Sequence, residues 1–137
     1  MIVGGVTNGR PVITARVLIP RLGLQADVDF LVDTGSQTTL INPSGQRRLG
    51  VSALRHFAGR QASVGRGLGG RHSHYSEPCD LYFMADDDNY EHLRETIRFA
   101  RPSLSNANLR SLLGVDLLRN FRFVFEPRAG LVTLDTL

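Results

Sequence analysis

Phe30-Leu31-Val32-Asp33-Thr34-Gly35-Ser36 is the stretch on which the fold of this chain turns. An apolar run leads straight into an acid, followed by hydroxyl, glycine and hydroxyl residues. Such a run reads as the end of a buried strand. Asp33 then stands where the chain leaves the interior, and Gly35 permits backbone conformations closed to other residues. Thr34 and Ser36 supply hydroxyls to orient the carboxylate or lock the loop. A plain β-turn also favours Asp first and Gly later. The flanks argue against it, because Thr38-Thr39-Leu40-Ile41 resumes strand character and a solvent turn seldom lies between two buried strands.

Upstream, residues 11–20 are rich in β-branched side chains and bounded by prolines, so they read as a strand. Residues 25–32 alternate and then run apolar, a second strand that ends at Asp33. Downstream, Asn42-Pro43-Ser44 looks like a helix start, and the helix ends at Gly50. Residues 61–83 carry glycines at 65, 67, 69 and 70 between extended arms, the pattern of a glycine-centred hairpin. Asp86-Asp87-Asp88 followed by residues 89–100 suggests an N-terminally acidic helix. Residues 109–113 are apolar and stop at Gly114. A short helix is expected over 116–121, then a hairpin of strands 121–125 and 130–134 around Glu126-Pro127-Arg128-Ala129. Strands dominate, no repeat is visible, and 137 residues suit one all-β domain, 1–137.

Composition narrows the classes. Hydrophobic residues make up 42% and charged residues 21%, which describes a globular chain. All 16 basic residues are Arg, with a pI near 9.7, yet only Arg47 and Arg48 are adjacent. A nucleic-acid footprint needs clustering, so no nucleic-acid partner is expected. Without Lys there is no phosphate-binding loop of the Gly-x-x-x-x-Gly-Lys type. Cys79 is the only cysteine, which excludes an intrachain disulfide. His72-Ser73-His74, with Cys79 or His92, lacks a familiar ligand spacing and reads as surface histidines on a hairpin arm, so no metal or cofactor is expected. Cys79 reads as a small half-buried residue. No apolar run is long enough to span a bilayer and no signal-like start is seen, so no membrane partner and a cytoplasmic location are expected.

A lone carboxylate on such a turn does little; a pair does much. Two carboxylates about 3 Å apart cannot both ionise. The ionised one takes a proton from water while the neutral one protonates a carbonyl oxygen, which hydrolyses a peptide without a nucleophilic side chain. Only one Asp-Thr-Gly is present: Asp116 precedes Leu117 and Leu118, and Asp135-Thr136 precedes Leu137. A dyad therefore needs a second copy, most simply across a two-fold axis.

Three segments, in order, resemble the retropepsin family of single-domain aspartic proteases. Leu31-Val32-Asp33-Thr34-Gly35-Ser36 is similar to the catalytic loop. Gly65-Arg66-Gly67-Leu68-Gly69-Gly70 is similar to the glycine-rich flap. Leu112-Leu113-Gly114-Val115-Asp116-Leu117-Leu118 is similar to the late hydrophobic-hydrophobic-Gly motif. The resemblance covers most of residues 11–134, with 86–108 an apparent insertion. It implies an all-β, retropepsin-like half-barrel with a flap hairpin and short helices. It further implies Asp33 as the catalytic residue, Thr34 interlocking the two halves, Gly35 against the substrate, and Ser36 supporting the loop. Gly65, Gly67, Leu68, Gly69 and Gly70 would form the flap, which grips the substrate backbone as an added strand. The expected partners are a peptide or protein substrate and a second copy, with the strand at 131–137 helping at the homodimer interface. Two departures stand out: Val115 occupies the place of a bracing Arg, and Ser36-Gln37-Thr38 lacks its acidic partner. The competing expectations are a catalytically inactive dimerisation or peptide-binding module on the same fold, and an unrelated small β-barrel that binds nucleic acid.

Overall fold

The alternation in residues 10–19 builds the first long strand: Ile13, Ala15, Val17 and Ile19 are buried, whereas Thr14 and Arg16 face water. The structure, a computed structural model, describes residues 1–67 and 70–137, and side chains outside 65–72. In chain order the elements are β1 (Ile2–Val3), β2 (Gly5–Thr7), β3 (Arg10–Ile19), β4 (Leu24–Val32), β5 (Leu40–Ile41), α1 (Pro43–Leu49), α2 (Ala53–His56), β6 (Ser63–Gly67), β7 (Gly70–Met84), β8 (Tyr90–Ala100), β9 (Ser111–Leu113), α3 (Val115–Leu118), β10 (Phe121–Glu126) and β11 (Leu131–Thr136). A 3-10 turn, Pro127–Ala129, joins the last two.

β3 and β4 form an antiparallel hairpin whose turn is closed by the N–H groups of Leu22 and Gly23 donating to the Ile19 carbonyl. Gly23 has φ 65°, a left-handed conformation that suits glycine. Around the larger sheet the order is β3-β4-β9-β5-β8-β7, and β7 pairs back onto β3, so six strands close into a barrel. Closure leaves the interior to apolar side chains: Phe30, Phe57, Phe83 and Phe99 are all but fully buried, and one cluster runs from Ile2 to Leu134. β1, β11 and β10 form a separate three-stranded sheet that brings both chain ends together.

The helix expected over 89–100 is instead strand β8, paired along its length with β7 and, at Arg98 and Phe99, with β5. Its burial has a period of two over the last residues, with Ile97 and Phe99 inside and Arg98 only partly covered. What reads in sequence as an extra segment thus supplies a barrel strand. The acidic triplet is a turn: Asp88 has φ 62°, and Asp87 accepts from the Asn89 N–H at 3.2 Å and its Nδ2 at 3.0 Å. α1 starts after Asn42 with Pro43 in its first turn and ends at Gly50, φ 77°, as the residues suggest. α2 and the short strands β1 and β2 were not expected.

At the base of the β6-β7 hairpin lies a buried charge. Glu77, 3% exposed, accepts from Arg21 Nε at 2.7 Å and Arg60 Nη1 at 2.9 Å. Arg60 also lies over the Phe57 ring at 5.3 Å, and Phe57 stacks on Tyr75 at 4.8 Å. These contacts fasten β7 to the β3-β4 turn and to the loop before β6.

Candidate active site

Asp33 leaves the barrel where β4 lies parallel to β9, with Val32 opposite Leu113. Its N–H continues the ladder, donating to the Leu113 carbonyl at 3.0 Å. The chain then turns sharply: the Ser36 N–H donates to the Asp33 carbonyl at 3.2 Å, and the Gly35 N–H donates to Asp33 Oδ1 at 3.0 Å. The carboxylate is thereby oriented by backbone. Asp33 is half-buried, whereas Thr34 and Gly35 are exposed. Ser36 Oγ donates to the Thr38 carbonyl at 2.8 Å, which locks the loop rather than the carboxylate.

After the loop the chain returns as β5, on the other side of β9, where Leu40 pairs with Leu112. β9 is therefore threaded between the two strands that flank the acidic turn. Gly114, at the end of β9, lies against the underside of that turn. A Cβ there would meet the Thr38 carbonyl carbon at 2.5 Å, its oxygen at 2.6 Å and the Ser36 oxygen at 2.9 Å. Only glycine fits. The next two N–H groups, of Val115 and Asp116, donate to the Ser36 and Gln37 carbonyls at 2.8 and 3.1 Å.

Asp116 completes the brace. Its carboxylate accepts from the Thr39 N–H at 3.0 Å on both oxygens and from Thr39 Oγ1 at 2.7 Å. Thr39 Oγ1 in turn accepts from the Gly114 N–H at 3.0 Å. Thr39 is fully buried, so these charge-assisted bonds are among the stronger ones available. In sequence Asp116 has no glycine after it, and Thr38 and Thr39 carry strand character. The bonds instead tie residues that lie 77 positions apart. An acid just inside a helix after the late glycine, with a Thr beyond the turn, is the signal that was there to find.

The β6 and β7 arms pair with Gly65 opposite His72 and Gly67 opposite Gly70, so a hairpin stands where the glycine-rich flap is expected. Leu68 and Gly69, at its tip, lie outside the described residues, as does the side chain of His72. His74 is buried rather than on the surface, and His92 Nε2 lies 2.8 Å from Asp80 Oδ1. Among the described residues, no three His, Cys, Asp or Glu side chains group as a metal would need. Cys79 is not half-exposed but wholly buried. Burial, with Glu77 and Asp80 nearby, pushes its thiol up to about 12, so it is no nucleophile. Among the described residues, no helix is long and apolar enough to cross a membrane.

No protein-family profile matches the chain, and no curated protein matches its sequence. Solved structures do. A retropepsin-like aspartic protease from Rickettsia conorii superposes with a TM-score of 0.58 at 18% identity, over 98% of this chain and 88% of that one. EIAV protease, complexed with the inhibitor HBY-793, gives 0.51 at 19% identity, over 83% of this chain and 92% of that one. With an acidic turn held over a threaded strand inside a closed barrel, the chain has the retropepsin-like aspartic protease fold.

Proposed function

We propose that the chain is an aspartic endopeptidase that works as a homodimer, with one Asp33 from each subunit. The single observation that carries this is the setting of Asp33: a half-exposed carboxylate, fixed by the Gly35 N–H, on a loop pinned from below by Gly114 and Asp116. Rigid support of this kind suits a group that must meet its twin at a set distance. Of the two carboxylates, the ionised one takes a proton from water as the water attacks the peptide carbon. The neutral one gives its proton to the carbonyl oxygen, and the resulting tetrahedral species collapses with proton transfer to the leaving nitrogen. Thr34 and Gly35, exposed in one chain, face the partner and the substrate. The β6-β7 hairpin acts as the flap, with Gly65, Gly67, Leu68, Gly69 and Gly70 at and near its tip. No metal or cofactor takes part, and the substrate is a peptide or protein met in the cytoplasm.

The test is cleavage of a peptide library by the purified chain. Activity should fall by at least about 10²- to 10⁴-fold in Asp33→Asn, the range of a lost general acid–base group, and be blocked by pepstatin-like inhibitors. Cleavage that persists in Asp33→Asn refutes the assignment.

A further inference from the structure

Between α1, α2, Tyr75 of β7 and the segment that follows β8 lies an open groove of about 550 Å³. That falls within the range of roughly 300–1,000 Å³ in which proteins hold small ligands. None of its lining residues belongs to 33–39 or 114–116, so it is separate from the setting of Asp33. Its walls are apolar. Val51 is buried, and Tyr75 is half-buried and stacked on Phe57 at 4.8 Å. Leu54 stands 91% exposed on α2. A large apolar side chain that open gains from being covered.

Three polar side chains complete the groove. Gln46 is 2% exposed, and its Nε2 donates to the carbonyls of Ile41 at 3.0 Å and Ala100 at 2.7 Å. Those two acceptors fix which end of the amide is nitrogen. Its Oε1 accepts from nothing among the described residues, yet it is not sealed off, so it opens to the groove that Gln46 lines. A bare acceptor on a buried residue is completed by an N–H donor. Arg47 and Arg101 supply positive charge. Arg47 is steered by its Nη2, which donates to the Ala107 carbonyl at 3.2 Å. Neither arginine joins an ion pair among the described residues. No carboxylate among the described residues lines the groove. The surrounding sequence is equally one-sided: residues 34–76 hold six arginines and no acid, and residues 96–115 hold three arginines and no acid.

We infer that this groove docks an extended acidic peptide. One large apolar side chain of the peptide covers Val51, Leu54 and Tyr75, its carboxylates meet Arg47 and Arg101, and a backbone N–H donates to Gln46 Oε1. Guanidinium and carboxylate form charge-assisted, often bidentate bonds. A nucleic-acid phosphate would answer the arginines but gain nothing from an acceptor oxygen or apolar walls. The Arg101 N–H donates to the Ser73 carbonyl at 2.9 Å, so the groove adjoins an arm of the β6-β7 hairpin. A protein held there by one segment presents the rest of its length at raised local concentration. That such a protein is a substrate rests on the protease reading; the chemistry of the groove does not.

The test is fluorescence anisotropy of a fluorescein-labelled peptide amide with two aspartates on each side of a central leucine. It is titrated with the chain carrying Asp33→Asn, so that the probe is not cleaved. Saturable binding that weakens with added salt is expected. Arg47→Glu and Arg101→Glu should each raise Kd by about tenfold or more, and Leu54→Ser should raise it severalfold. All three side chains are exposed, so the variants should keep the fold, which urea denaturation checks. Lysines in place of the aspartates should abolish binding, and serine in place of the leucine should weaken it. Absence of saturable binding, equal binding of the lysine peptide, or a Kd unmoved by all three variants overturns the inference. So does tighter, Arg47- and Arg101-dependent binding of a single-stranded oligonucleotide. If the peptide docks as expected while Asp33→Asn leaves library cleavage intact, the groove stands and the protease reading fails. If cleavage depends on Asp33 and the peptide does not bind, the protease reading stands and the groove falls.

Discussion

Gly114→Ala is the sharpest perturbation of the proposed site, because it adds one carbon and no chemistry. That carbon would stand 2.5 Å from the Thr38 carbonyl carbon and 2.6 Å from its oxygen, where ordinary contact begins at 3.4 Å. The obstacle is backbone, so no side chain can swing aside. Relief requires that the loop over β9 rise by about 0.9 Å, the gap between these distances. Overpacking of this kind costs roughly 1–3 kcal/mol. For a chain of 137 residues that is a melting-temperature drop of roughly 3–10 °C. The rise would also carry Asp33, which is bonded to both Leu113 and Ser36, away from its set place. A misplacement near 1 Å can cost about 10²-fold in rate. Urea denaturation gives the first quantity, and kcat on a cleaved peptide, measured well below the melting temperature, gives the second. An alanine variant with wild-type stability and wild-type kcat would refute the idea that Gly114 sets the height of the loop.

Asp116→Ala leaves the buried Thr39 N–H and hydroxyl without their acceptor, and should cost about 1–3 kcal/mol by urea denaturation. Asp116→Asn, which keeps one acceptor oxygen, should cost less. Arg21→Ala and Arg60→Ala should each be mild, because the other guanidinium still neutralises Glu77 and both arginines are partly solvated. The double variant strands a buried carboxylate, and its loss should exceed the sum of the singles and reach about 3–5 kcal/mol. Cys79 should resist thiol reagents at pH 8 in the folded chain and react on addition of denaturant. Its raised folded value also has a sign: between the ordinary thiol range and about 12, the unfolded chain has lost a proton that the folded chain keeps. Stability should therefore fall as pH rises through that window, by up to about 1.4 kcal/mol per unit from this group, in denaturation series from pH 8 to 11.

Much of this architecture is legible in sequence where the signal is local. β3 and β4 show alternation, α1 is framed by Pro43 and Gly50, and the turn at Asp33 lies between apolar runs. β8 is masked in sequence because three acids mimic the start of a helix, while Tyr90, His92, Arg94 and Thr96 leave the outer half of a strand as polar as a helix face. β1 and β2 are too short to show any period. At the proposed site, Asp33, Gly35 and Ser36 stand out by their spacing, but the work of Thr39 and Asp116 does not. Their bond depends on β9 lying between β4 and β5, a parallel crossing that no local pattern encodes.

That threading also orders events in time. Until Ser111–Leu113 slides in, the Asp33 amide lacks its acceptor on Leu113, and Thr39 lacks both Gly114 and Asp116. Gly114 and Asp116 lie 75 and 77 positions beyond Thr39, so a nascent chain that has not yet reached Asp116 has no finished acidic turn to present.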